Sequence, residues 1–311
     1  SGSTTATPIV NISGTYLLTV TNNSTGCRNI DTTLLNIDIN KPNVLAGNDK
    51  LLTCAITTTS LDGSSSTPNA VFSWRGPGIV SGAATATPSV NTIGTYILNI
   101  LNPNNGCSAE DTVVVTNDII QPNISAGSDK LLTCTTSNVS LDGSSSTPNT
   151  TFLWSGPSII GQNNIAVATA NAIGTYSLVV TDTVNGCVNY DTLVVREDRT
   201  APGADAGNAD TLTCAITSLA LLGSSPTAMA QYAWSGIGIV SGANTATPTV
   251  NAAGWYLLTT THPTNGCSSI DSVAIASNIV APQVSAGGDK LLTCAITTTS
   301  LDGSSSTPNE N

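Results

Sequence analysis

The chain has 311 residues, a formal net charge of −11, 9% charged and 40% hydrophobic residues. Eight Lys and Arg against 19 acids argue against a phosphate-backbone ligand, so no nucleic-acid partner is expected. No apolar run approaches the roughly 18 residues of a membrane span, and the opening SGSTTATPIV lacks the charged-then-apolar profile of a signal peptide. Ample hydrophobic residues exclude a disordered chain, and Thr and Val in excess over Glu and Lys favour strand over helix.

The sequence repeats with an 80-residue period. Lys50 to Asn69 recurs letter for letter at Lys290 to Asn309, closely at Lys130 to Asn149 and loosely from Thr211; Pro42, Pro122, Pro202 and Pro282 keep the same step and set the phase. A fixed period of this kind marks a module repeated in tandem. Residues 1–41 therefore read as the C-terminal part of a module, 42–121, 122–201 and 202–281 as complete modules, and 282–311 as an N-terminal part. The two fragments together lack the counterpart of 72–80, FSWRGPGIV. A window on a longer array is the simpler expectation. A swapped unit, with one chain's tail completing the next chain's head, is the alternative.

Within 42–121 the elements follow in order. Val44 to Thr53 predicts a first strand broken at Gly47, and Thr57 to Leu61 a second that ends in a turn at Asp62-Gly63. Phe72-Ser73-Trp74 predicts a third strand whose aromatics share a face. Gly94-Thr95-Tyr96 opens the clearest strand, with Tyr96, Leu98 and Ile100 alternating inward. Asn104-Asn105-Gly106 reads as a tight hairpin turn. Asp111 to Thr116 returns, with Asp111 at its start and Val113 and Val115 inward.

Seven short strands, a Trp on the third and a Tyr near the start of the sixth predict an immunoglobulin-like sandwich. The strings AG-D-LTC, SLDGSSS, W-GP, GTY-L-V and NGC, in this order, resemble the PKD-like and Ig-like repeats of very long Bacteroidetes-type surface proteins. The resemblance covers the whole chain. It implies an all-β tandem array of ~80-residue immunoglobulin-like (PKD-like) β-sandwich domains, extracellular and either cell-surface or secreted.

Eight cysteines fall in two series, Cys54, Cys134, Cys214 and Cys294, and Cys27, Cys107, Cys187 and Cys267. Regular spacing without a CxxC pair favours disulfides and an oxidising compartment over zinc. Cys54 follows the first strand, whereas Cys107 sits at the last hairpin. Those turns lie at opposite ends of the sandwich, about 30 Å apart for ten residues at roughly 3.3 Å each, far beyond the roughly 4.4–6.8 Å that a disulfide allows. Bonds between consecutive modules, Cys54–Cys187 and Cys134–Cys267, are therefore favoured. Bonds within a module (Cys54–Cys107, Cys134–Cys187, Cys214–Cys267) and between chains stay open.

Asp31, Asp111, Asp191 and Asp271 also recur at the 80-residue step. The plain reading is a turn residue holding backbone N–H groups. Each also opens an Asp-Thr/Ser-apolar triplet that resembles the O-glycosylation signal of Bacteroidetes-type secreted proteins, which would place sugars on Thr32, Thr112, Thr192 and Ser272. Linker acids Asp38, Asp118 and Asp198 suggest calcium at module junctions, but no EF-hand spacing accompanies them, so no cofactor or metal is expected. His262 is the sole histidine, and no GxxxxGK or HExxH occurs, so no catalytic residues and no enzyme are expected.

The expected function is that of a non-catalytic repeat region of an extracellular filament, stalk or appendage. Its expected partners are neighbouring modules and sister chains, in a homo-oligomeric fibre serving adhesion or capture. Trp255, in place of Thr95 on the outward face of its strand, is a candidate contact. The alternative is an adhesin whose modules bind glycans or cell surfaces directly.

Overall fold

The computed structural model describes residues 2–306 and contains strands and turns but no helix among them. It divides into two compact units. One holds 1–124 with 145–151 and 179–189; the other holds 125–144, 152–178 and 190–311. The division runs through the repeat that begins at Pro122.

Seven strands build the sandwich that begins at Pro42. A four-stranded sheet has the order Lys50–Thr53, Ser108–Asp118, Gly94–Leu101, Val71–Arg75, and a three-stranded sheet the order Thr59–Ser60, Ser89–Val90, Ile79–Ser81. The same two sheets recur in the repeats that begin at Pro122 and Pro202. Lys50–Thr53 runs parallel to Ser108–Asp118, with Lys50 opposite Val115, and the other pairs are antiparallel.

Alternation dictates the core. Tyr96, Leu98 and Ile100 on one strand and Val113 and Val115 on its neighbour point inward, and all five are buried against Trp74, Leu61, Leu52 and Val90. Burying each such side chain contributes roughly 1.5–3 kcal/mol. The Trp74 indole donates Nε1–H to the Thr85 carbonyl at 3.1 Å, so no polar atom is stranded. Gly63 is required by that packing, because a Cβ there would lie 2.7 Å from the Trp74 ring. The Tyr96 hydroxyl donates to the Thr92 carbonyl at 2.7 Å, and Tyr176 and Tyr256 reach back four residues in the same way. A buried Trp on the third strand and a tyrosine corner on the sixth decide the class. Each repeat is an immunoglobulin-like sandwich.

Two local expectations are corrected. The last hairpin does not close on a tight turn at Asn104-Asn105-Gly106 alone. Its final pair is Leu101 with Ser108, leaving six residues between, closed by Asn102 N–H to Cys107 O and Gly106 N–H to Asn102 O. The longer loop is stable because the Asn102 side chain accepts the Asn104 N–H; in the third repeat the imidazole of His262 takes that place for Thr264. Asp111 is mid-strand rather than at a strand start, and its carboxylate accepts the N–H of Ala46, 65 residues upstream, at 2.8 Å. Asp191 and Asp271 hold Ala126 and Ala206 likewise. The acid closes a long-range tie that a local turn reading does not contain.

One exchange between repeats has a direct physical reason. Lys50, Lys130 and Lys290 pair with Asp62, Asp142 and Asp302, whereas the third repeat carries Asp210 and Leu222 at the matching positions. Lysine and its partner are replaced together, and the Asp210 carboxylate accepts the Thr211 N–H instead. As exposed pairs they add little stability.

Candidate functional site

The distinctive chemistry of this chain lies where one repeat meets the next. Cys54 and Cys187 form a disulfide with Cα atoms 4.9 Å apart, and Cys134 and Cys267 form one with Cα atoms 5.0 Å apart. Both join residues 133 apart, so the cysteine after the first strand of one repeat meets the last hairpin of the following repeat. Cys27, Cys107, Cys214 and Cys294 are free thiols. The within-module alternatives Cys54–Cys107, Cys134–Cys187 and Cys214–Cys267 do not form. In the first of these, Thr53 is registered with Asp118 while Cys107 precedes Ser108, so the 11-residue strand Ser108–Asp118 separates them, about 33 Å end to end.

Each bond sits in a prepared socket. In the first, Asn185 is buried and its side-chain amide donates to the Asp118 carboxylate and the Ile120 carbonyl, both at 3.0 Å, while its side-chain oxygen accepts the Cys187 N–H at 2.9 Å. Its backbone carbonyl accepts the Ala55 N–H across the junction at 3.1 Å. In the second, Asn265 makes the same set with Asp198, Thr200 and Cys267. The Asp198 carboxyl is held below the usual carboxylate range, first by the Thr200 N–H and then by the Asn265 amide. Gly186 and Gly266 have positive φ, and a Cβ on either would lie 2.5 Å from Ala55 or Thr135 of the docked loop. The loop rests directly on glycine backbone.

Sequence reasoning identified the cysteines but missed the asparagine two residues before Cys107, Cys187 and Cys267. Its signal was the recurrence of Asn-Gly-Cys, which reads equally well as turn chemistry. The linker acids are also placed. Asp118 and Asp198 accept hydrogen bonds from Asn185 and Asn265, and no three His, Cys, Asp or Glu side chains gather among the described residues. Thr112, Thr192 and Ser272 are exposed in their strands, as is Thr32. Trp255 is 72% exposed on the outward face of Gly254–Thr261.

No family model and no curated protein matches the chain. Among solved structures it is similar to an I-band fragment of titin at 15% identity, covering 76% of this chain and 96% of that one, with a TM-score of 0.31. It is also similar to the N-terminal eight Ig domains of Down Syndrome Cell Adhesion Molecule at 13% identity, 86% and 40% coverage and a TM-score of 0.33. For Drosophila N-cadherin EC1-4 the values are 11%, 86%, 83% and 0.26.

Proposed function

We propose that this chain is a load-bearing, non-catalytic stretch of an extracellular tandem Ig-like array, with repeats at 42–121, 122–201 and 202–281. The array is of the PKD-like kind carried by giant Bacteroidetes-type surface proteins. The observation that carries the reading is the pair of disulfides between consecutive repeats. Disulfides persist in oxidising surroundings, which fits a secreted or cell-surface location.

The two loops interlock, because Cys134 lies inside the loop closed by Cys54 and Cys187. A pull from Cys54 to Cys267 then runs through both bridges and only the stretch between Cys134 and Cys187, about a quarter of the direct chain path. A sandwich that unfolds under load therefore cannot extend fully. The exposed hydroxyls of Thr32, Thr112, Thr192 and Ser272 suit O-glycosylation, and weakly charged surfaces with the exposed Trp255 suit lateral assembly with sister chains.

Single-molecule pulling tests the reading. The span from Cys54 to Cys267 should lengthen roughly fourfold when a reductant is added, at ~3.3–3.6 Å per residue. Equal extension with and without reductant would remove the load-bearing role. Electron microscopy of purified material then separates the assemblies: regular multi-chain fibres fit the structural reading, and single strings that bind a glycan array fit an adhesin.

A further inference from the structure

Asn185 and Asn265, the socket residues of the two clasps, are each followed by glycine. An asparagine before glycine is chemically labile, because no side chain keeps the glycine nitrogen from the asparagine amide carbon. That attack needs a free glycine N–H, an amide that can turn over it, and water. The first socket denies all three. The Gly186 N–H is donated to the Asp182 carbonyl at 2.8 Å. The Asn185 amide is held at both ends, by Asp118 and Ile120 on its nitrogen and by the Cys187 N–H on its oxygen. Asn185 is 2% exposed, and Ala55 covers the glycine, 2.5 Å from where a Cβ would lie. Asn265, 1% exposed, is shut in the same way by Asp198, Thr200, Cys267 and the covering Thr135. Asp118, Ile120 and Ala55 belong to the repeat before Asn185, as Asp198, Thr200 and Thr135 do for Asn265. The shield therefore lasts only while the two repeats stay docked.

We propose that Asn185 and Asn265 are latent modification sites, opened by reduction of the clasp beside each, whose conversion to aspartate or isoaspartate keeps that clasp from re-forming. A dithiol reductant supplies two electrons and two protons, leaving Cys54 and Cys187 as thiols and itself as a cyclic disulfide. With the covalent tie gone, the loop carrying Ala55 lifts away more often and water reaches Asn185. The Gly186 nitrogen then bonds to Cγ of Asn185, and the side-chain nitrogen leaves as ammonia with the glycine amide proton. Water opens the resulting cyclic imide to aspartate on one side or isoaspartate on the other, so amide and water become carboxylic acid and ammonia. The new carboxylate faces Asp118 where an amide nitrogen stood 3.0 Å away, and it has no hydrogen for the Ile120 carbonyl. Two carboxylates so close repel, and the carbonyl is left unpaired. Isoaspartate also lengthens the backbone by one carbon, which shifts Cys187 from its place opposite Cys54. Brief reduction of a junction is thus reversible, and prolonged reduction is not. The sites need neither load nor sister chains.

The test incubates the purified chain in mildly alkaline buffer in three forms: unaltered, Cys54→Ser, and unfolded in urea with reductant. Peptide mapping by mass spectrometry follows the mass gain of deamidation at each asparagine. Over a period in which the unfolded chain converts both, the unaltered chain should convert neither. In Cys54→Ser, Asn185 should convert roughly tenfold or more faster than in the unaltered chain. Asn265, beside an intact Cys134–Cys267, should stay unconverted there, which separates loss of the clasp from loss of fold. A second measurement reduces the unaltered chain for short and long periods, removes the reductant and maps the disulfides after reoxidation. Cys54–Cys187 should return after the short period and be missing from molecules converted at position 185. Equal rates at Asn185 with and without Cys54, or Cys54–Cys187 bonds in peptides that carry the converted residue, would overturn the proposal.

Discussion

The hairpins 14–35 and 94–118 carry nearly the same pattern and fold alike, yet only one is part of a core. Both pair in the same register, both close their six-residue loop on an Asn backbone, and both turn a tyrosine back on the carbonyl four residues earlier. What differs is cover. In the second hairpin Trp74, Leu52 and Leu61 close over Tyr96, Leu98 and Ile100; in the first the matching face is open. Local pattern and turn chemistry suffice to shape a hairpin, whereas its stability comes from strands distant in sequence.

The strongest way to break this contrast is Trp74→Ala. Removing a buried indole should cost ~3–5 kcal/mol, and the amides of 94–118 should then exchange hydrogen nearly as fast as those of 14–35. In the unaltered chain, 94–118 should exchange far more slowly.

Cutting a clasp comes next. Cys54→Ser should destabilise that junction by about 2–4 kcal/mol, seen as faster exchange of Asn185 to Cys187. A Cys107→Ser change, at a socket with no bond, should leave thermal stability unaltered.

Tyr96→Phe leaves the Thr92 carbonyl without its partner and should cost about 1–2 kcal/mol, read from a denaturant midpoint. Tyr16→Phe at the open hairpin should cost less, because water replaces the lost bond to Ile12.

The smallest effect is electrostatic. The Asp271 carboxyl is held below its usual range by the Ala206 and Ser272 N–H groups, and that of Asp38 by the Asn40 N–H and the Asn105 amide. A carboxyl whose folded pKa is lowered stabilises the fold above its unfolded value, about 3.9, and loses that contribution as pH falls through the folded value. The urea midpoint should therefore hold from pH 7 to about 4 and decline below it, with a shallower decline in Asp271→Asn.

Much of this protein is legible residue by residue. The 80-residue period, the inward faces of Tyr96, Leu98 and Ile100, the shared face of Phe72 and Trp74, and the break at Gly47 all follow from spacing two apart and from turn residues. The sequence also favoured bonds between consecutive repeats, because strand length sets Cys54 far from Cys107, but it left the bonds within a module open. Only the tertiary structure decided that Asp111 ties Ala46, that Asn185 and Asn265 build the sockets, and that a docked loop rests on Gly186 and Gly266. These partners lie 65 or more residues apart in the chain. Strand periodicity records which face a side chain takes, but not what another part of the chain brings to that face.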